Sequence, residues 1–310
     1  MSRSWMGAGA GAVGVAALSA VLYATLIERT RFALRNHTLP VLPAGAKPVR
    51  ILHVSDLHLA PWQHDKMHWV RALAELEPDL IVNTGDNFGH PDALDAIRAT
   101  FAPFDGVPGV FVFGSNDYLS PMLRNPLRYL ASNRVEPERT PDLDTDGLRR
   151  SLEALGWIDL DDRATSLAIG GVRFEFIGTG DAHICFDHLE RLPAEVERMR
   201  EETGVVLEPS VTIGVTHAPY QRVLDALVTY GAQAIFAGHT HGGQVKLPWG
   251  APFVTNSDLP PSQASGVSVW RHAGRTALLD VSAGLGTSIY APVRFGVPPE
   301  ASLVTLVPAR

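Results

Sequence analysis

Short apolar runs recur along the chain, each closed by polar residues: Val49–Val54, Leu80–Asn83, Val110–Phe113, Val211–Val215, Ala234–Ala237 and Leu278–Val281. They show little apolar–polar alternation. Runs of this kind suit strands covered on both faces, where neither side chain row meets water. Between them lie stretches with helical spacing of apolar positions, at Lys66–Leu76, Pro91–Thr100, Glu190–Glu202 and Tyr220–Tyr230. Strand and helix patterns in alternation predict an α/β architecture in packed layers. One stretch, 121–165, differs. It is richer in Arg, Pro and Asp, and only Leu148–Leu155 carries a helical pattern, so it is expected to be an insertion that caps or borders a site.

The first segment has another pattern. From Ser4 to Ile27 there is no charged residue. As a helix, these 24 positions would extend roughly 36 Å, enough to cross a bilayer core. Trp5 and Tyr23 stand near the two ends, as interfacial aromatics do. A cleaved signal peptide is the alternative, but the run is longer than a signal's apolar region and no Ala-x-Ala site closes it. Gly7 and Gly11 have the spacing that lets two membrane helices pack closely, although Gly/Ala-rich sequence produces it by chance. Arg29, Arg31 and Arg35 follow the run against Glu28, while Arg3 precedes it, and this balance tips toward a cytoplasmic catalytic domain. The expected organisation is an anchor at 1–29, a linker at 30–48 punctuated by Pro40, Pro43 and Pro48, and one domain at 49–310. The result would be a single-pass membrane protein.

Composition narrows the function. About 265 residues beyond the anchor and linker fit one large α/β domain or two small ones. Apolar residues make up 45% of the chain and charged residues 19%, enough for a sizeable core. The net charge of −7 argues against a general nucleic-acid binder, which needs a basic footprint. It leaves room for a phosphorylated substrate, because bound cations can supply positive charge locally. The one cysteine, Cys185, allows no intrachain disulfide.

In open α/β sheets, ligands sit beyond the carboxyl ends of strands. Five of the apolar runs are followed by residues with metal-binding chemistry: Asp56 and His58; Asp86; Asn116 and Asp117; His217; His239 and His241. Taken singly these are weak signals, since Asp-x-His is common in surface loops and Gly-Asp-Asn also makes turns. The segment Gly238-His239-Thr240-His241-Gly242-Gly243 is stronger, because two histidines two apart among glycines have few structural uses. Asp56, His58, Asp86, Asn116, His217, His239 and His241 offer oxygen and imidazole donors without thiolate, a set that suits Mn, Fe or Zn. Seven donors are too many for one tetrahedral ion and fit two divalent ions that share a bridging carboxylate. Gly85, Gly114 and Gly238 are expected to let the chain turn sharply as it leaves each strand.

The ordered blocks Asp-x-His, Gly-Asp-x, Gly-Ser-Asn-Asp, x-x-His and Gly-His-x-His resemble those of the calcineurin-like metallophosphoesterases over residues 49–300. Gly-His-Thr-His-Gly-Gly-Gln and Arg294-Phe295-Gly296-Val297-Pro298-Pro299-Glu300 are similar to the bacterial membrane-associated branch, which includes exported phosphodiesterases and UDP-diacylglucosamine diphosphatases. The resemblance implies a two-sheet β sandwich flanked by helices, here preceded by one transmembrane helix. It implies Asp56, His58 and His241 on a first ion, Asp86 as bridge, and His217, His239 and an Asn on a second. The implied activity is hydrolysis of a phosphodiester or pyrophosphate by a metal-bridging hydroxide, on a phosphorylated small molecule, lipid or envelope substrate. The chain departs from the family at one loop, where the usual Asn-His pair falls on Ser115-Asn116. In the family register Ser115 would replace the ligand; a one-residue shift would let Asn116 ligate. Either way the usual catalytic histidine is missing. His183, in Gly180-Asp181-Ala182-His183, is the candidate replacement, with a surface histidine as the plain alternative. The same departure keeps open a membrane-tethered metal or phosphate-ligand binding protein with impaired turnover.

Overall fold

The computed structural model describes residues 14–123, 139–203, 210–246, 250, 252 and 254–309. Two six-stranded sheets face each other. The first has the order β1 (Ala33–Leu42), β12 (Glu300–Pro308), β2 (Val49–Val54), β3 (Leu80–Asn83), β4 (Gly109–Phe111) and β5 (Trp157–Asp159). The second runs β10 (Gly266–His272), β11 (Arg275–Val281), β9 (Ala234–Ala237), β8 (Ser210–Val215), β7 (Val172–Gly178) and β6 (Ala164–Ile169). Strands β2 to β5 are parallel, as are β7, β8, β9 and β11. Antiparallel pairs sit at both edges of the second sheet, and β12 meets β2 antiparallel within the first.

Side-chain alternation divides each central strand between two apolar layers. Ile51, Leu80, Val82 and Val110 point inward against Phe174, Phe176, Ile213, Val215 and Phe236 of the opposite sheet. The intervening Leu52, Val54, Ile81 and Phe111 point outward and pack with Val70, Ile97 and Leu148 of the helices His64–Ala72, Leu94–Phe101 and Thr145–Glu153. On the far side, Ile177, Ile235 and Leu279 meet Val196, Val223 and Leu227 of the helices Leu192–Thr203 and Gln221–Thr229. A strand buried on both faces has no polar row, which is why these strands read as unbroken apolar runs. The expected sandwich flanked by helices is the observed one.

Several expectations are corrected. The segment 30–48, expected to be a linker, contains β1, which pairs in parallel with β12 along its whole length. Its alternating polar positions and Pro40 are compatible with a strand because β1 lies at a sheet edge, where one face and one row of N–H groups need no partner. The strand expected at Val110–Phe113 is Gly109–Phe111. Within 121–165, expected to be a cap, the helix Thr145–Glu153 packs on the outer layer and β5 closes the edge of the first sheet; residues 124–138 lie outside the described residues.

The anchor expected at 1–29 falls partly on residues 1–13, which lie outside the described residues, as do Trp5 and the Gly7/Gly11 pair. Residues 14–22 form a helix that widens at Tyr23–Ile27 and ends in the turn Glu28–Thr30. Among the described residues no helix is long and apolar enough to cross a membrane. The helix nonetheless exposes Val15, Leu18, Val21, Leu22, Leu26 and Ile27, and of its apolar residues only Ala24 is buried. Its end is docked: the Arg294 backbone N–H donates to the Ala24 carbonyl at 3.1 Å, and the Tyr23 ring meets Phe295 edge-on at 6.3 Å.

Candidate metal centre

The parallel strands of both sheets deliver their carboxyl ends to one edge of the sandwich. Asp56 and His58 follow β2, Asp86 follows β3, Asn116 follows β4, His217 follows β8, and His239 and His241 follow β9. All of these come together. His58 Nε2 and His241 Nε2 lie 3.2 Å apart, with the rings stacked at 5.1 Å. His58 Nε2 is 3.4 Å from Asp86 Oδ2, and His241 Nε2 is 3.6 Å from Asp56 Oδ1. On the other side of Asp86, His217 Nε2 lies 3.5 Å from Oδ1 and 3.3 Å from His239 Nδ1. Asp86 therefore turns one carboxylate oxygen toward each histidine pair. Asp56, His58 and His241 form one group able to hold a cation; Asp56, Asp86 and His217 form a second.

The backbone that aims these groups is unusual. Asp56, His58, Asp86, His239 and His241 all have positive φ, between 39° and 69°. Each such residue costs about 1–3 kcal/mol and persists only where its surroundings over-determine it. Hydrogen bonds supply that constraint. The Asp117 carboxylate accepts the backbone N–H groups of Asp86 (2.8 Å), Asn87 (2.7 Å) and Gly114 (3.1 Å), tying the β3 loop to the β4 loop. Burial pushes Asp117 up to about 7, against the pull of these amides. The Ser55 hydroxyl donates to Asp56 Oδ2 at 2.5 Å and accepts from Thr84 Oγ1 at 2.6 Å; Thr84 in turn meets His53 Nε2 at 3.0 Å, and His53 Nδ1 meets Asp280.

The glycines play two roles. Gly85 has φ +89°, so it makes the expected turn. Gly114 is extended (φ −106°, ψ 175°), and Gly238 is not among the positive-φ residues. What these two provide is room. A Cβ at Gly114 would strike the Asp86 carboxylate and the His217 ring, and one at Gly238 would strike Ser55 and Asp56.

The hydrogen bonds also decide which imidazole nitrogens are available. His217 Nδ1 faces the Thr84 carbonyl at 2.7 Å, and His239 Nε2 faces the Asn256 carbonyl at 3.0 Å. A carbonyl only accepts, so both of these nitrogens carry the proton. The remaining nitrogens, His217 Nε2 and His239 Nδ1, present lone pairs to each other across 3.3 Å. That contact needs a cation between or beside the two rings. Burial would lower the His217 pKa, but Asp86 outweighs burial and raises it well above the ordinary value. Reciprocally, burial raises Asp86, but the charge and hydrogen bond of His217 hold it well below the aspartate range. Burial lowers His58, His239 and His241, which favours the neutral, ligating form. Histidines anchored by carbonyls, beside buried carboxylates, form a donor set that fits divalent cations.

The altered loop places Asn116 against the centre. Its backbone N–H donates to Asp86 Oδ1 at 2.7 Å and its side-chain amide to Oδ2 at 2.8 Å. Ser115 Oγ is met only by the Asn116 amide, at 3.4 Å, among its described hydrogen bonds. His183 is half-buried at the same edge: its ring lies 4.4 Å from that of His239, and its Nδ1 lies 3.1 Å from the Tyr220 hydroxyl. Three further residues join the centre. Asp181 is fully buried, burial pushing it up to about 7, with Oδ2 unbonded. Lys66 is buried against the carbonyls of Leu57 and His58 (2.7 and 3.3 Å). Arg294 is fully buried, donates to the carbonyls of Ala283, Gly284 and Gly286, and lies 3.3 Å from His241 Nδ1. Asp181 follows β7 just as the expected residues follow their strands. The charges of Arg173 and Glu175 hid that strand, and with it Asp181. Lys66 carries no comparable sequence signal.

A family model described as calcineurin-like phosphoesterase matches residues 49–243, the stretch that carries every one of these candidate ligands. The chain belongs to the calcineurin-like phosphoesterase family. This metallophosphoesterase is 26% identical to the uncharacterized protein YpbG of Bacillus subtilis over 96% of each chain. It is also 26% identical to the UDP-2,3-diacylglucosamine pyrophosphatase LpxG of Chlamydia trachomatis, over 87% of each. Among solved structures, a dimetal phosphatase from Danio rerio aligns with a TM-score of 0.40 at 12% identity, covering 76% of the phosphoesterase and 88% of that chain.

Proposed function

We propose that this phosphoesterase hydrolyses a phosphodiester or pyrophosphate at a two-cation centre, with the substrate carried on a lipid or envelope molecule. The observation that carries the reading is the Asp86 carboxylate, which faces His58 with one oxygen and His217 with the other. Asp56, His58 and His241 would hold one ion, His217 and His239 the other, and Asp86 both. When bound, divalent ions such as Mn, Fe or Zn supply Lewis acidity toward the phosphoryl oxygens and a water acidic enough to act near neutral pH. The residues of the chain do the rest. The Asn116 backbone fixes the Asp86 carboxylate, and a half-turn of its side-chain amide would offer Oδ1 to the second ion. That geometry supports Asn116 over Ser115 as the Asn-equivalent. His183, beside His239 and backed by Tyr220, stands where it could deliver a proton to a departing oxygen. The LpxG relative and the exposed apolar helix support a lipid-borne substrate and attachment to a membrane through the N-terminal segment.

Hydrolysis of bis-(4-nitrophenyl) phosphate by the full chain with added Mn tests the activity. Turnover that disappears in Asp86→Ala is expected. Tight metal binding without any turnover on phosphodiesters or pyrophosphates would leave the binding-protein reading in its place.

A further inference from the structure

The large apolar residues that the fold leaves exposed are not scattered. Among the described residues, six lie on the N-terminal helix, and Val267 and Val269 lie on the edge strand β10. The remaining five, Trp62, Met122, Leu123, Phe186 and Tyr290, all lie on loops, each tied by sequence or by a contact to a segment that carries a candidate ligand. Trp62 stands four residues after His58 and packs edge-on against His90. Met122 and Leu123 follow the Asn116 loop. Phe186 follows His183 and meets Tyr118 at 5.0 Å. Tyr290 belongs to the segment whose Ala291 carbonyl accepts from Gln244, just after the His239–His241 motif.

We infer that these five side chains form a rim that seats in a lipid bilayer, so that the metal centre opens at the level of the headgroups. The inference deepens the lipid-substrate reading and rests on it. The occupant follows from how the N-terminal helix joins the domain. Its apolar surface is exposed from Val15 to Ile27, and the uncharged run begins at Ser4. Its end sits on Arg294 and Phe295, and Arg294 reaches His241. A bilayer that surrounds this helix would reach the segment on which its end is docked, and Tyr290 of the rim belongs to that segment. Aromatic side chains such as Trp62 and Tyr290 are the types that favour the headgroup layer. Arg29 and Arg31, at the base of the helix, match an anionic surface in charge. A substrate with acyl chains could then reach the centre without leaving the leaflet.

Cys185, exposed and next to Phe186, is a natural probe of the rim. The full chain would be labelled there with an environment-sensitive nitrobenzoxadiazole. It would then be reconstituted in nanodiscs of phosphatidylcholine and phosphatidylglycerol containing lipid with a spin label near the headgroup. The reference is the same label at Ala273→Cys in a Cys185→Ser background, on the β10–β11 turn at the opposite end of the sheet. Quenching at Cys185 at least twofold stronger than at position 273 is expected. Equal quenching at the two positions, in protein that stays with the discs, would overturn the rim alone. Protein that does not stay with the discs would overturn the anchor and the rim together. Quenching without any phosphoester turnover would keep the rim and overturn the enzymatic reading.

Discussion

The two halves of the candidate metal centre come from different sheets and are held by different means. Asp56, Asp86 and Asn116, after β2, β3 and β4, are fixed largely through the main chain. Asp117 gathers the amides of both loops, and the Asn116 N–H clamps Asp86. Of the histidines after β8 and β9, His217 and His239 are fixed through their own rings by bonds to the carbonyls of Thr84 and Asn256, and His241 Nδ1 lies beside Arg294. The first half can therefore tolerate a changed side chain in its third loop without losing its geometry. The second half cannot lose a ring without losing a ligand. This is a physical reason why Ser115-Asn116 departs from the family pattern while Gly238-His239-Thr240-His241 keeps it.

The largest expected effect breaks the link between the halves. Asp86→Ala should reduce phosphodiester turnover to that of the metal-free chain, while His58→Ala should leave one ion bound and residual activity. Equal loss in the two variants would mean that Asp86 does not join the two sides. Next comes the proposed proton donor. His183→Ala should slow hydrolysis of alkyl phosphodiesters by roughly the 10²–10⁴ of a positioned acid and spare nitrophenyl esters, whose leaving group needs no proton. An equal effect on both ester types would assign His183 to packing against His239. In the altered loop, Asn116→Ala should lower turnover at least about tenfold, the scale of groups that orient metal ligands, and Ser115→Ala should change it little. The reverse order would put Ser115 on the metal.

The smallest predictions concern stability. Asp117→Asn replaces an acceptor with a donor beneath buried amides and should cost about 1–3 kcal/mol in urea unfolding. No change would mean that the loops hold without it. Asp161 is raised to about 8 by burial and by the neighbouring Asp159. Because the folded state holds this proton more tightly than the unfolded chain, its contribution is full below the ordinary aspartate value near 4. It fades as pH climbs through about 8. Metal-free protein should therefore lose stability across that interval, and Asp161→Asn should flatten the loss. A slope unchanged by the substitution would place the titration elsewhere.

The parts of the molecule most legible in the sequence were those governed by burial. β2, β3 and β9 have the expected bounds because their apolar runs have no polar partner row. β7 escaped notice because Arg173 and Glu175 interrupt it; their charges are matched within the fold, Glu175 accepting from both Arg173 and Arg200. β1 and β10 alternate with polar residues because each is an edge strand with an exposed face. At the site, residue type and position after a strand were enough to pick out seven residues that the fold brings together, five of them in groups that could hold a cation. The left-handed backbone at five of them was not visible, because Asp and His carry no signal for positive φ; only the packed loops impose it. The half-buried place of His183 depended likewise on Tyr220 and His239, which are far from it in sequence.

The central claim is that one carboxylate serves two cations, and metal content tests it directly. Elemental analysis of the full chain, purified and saturated with Mn or Zn and freed of excess, should give about two ions per chain, falling to nearly none in Asp86→Ala. A single tightly held ion in the unaltered protein, retained when Asp86 is replaced, would contradict the account.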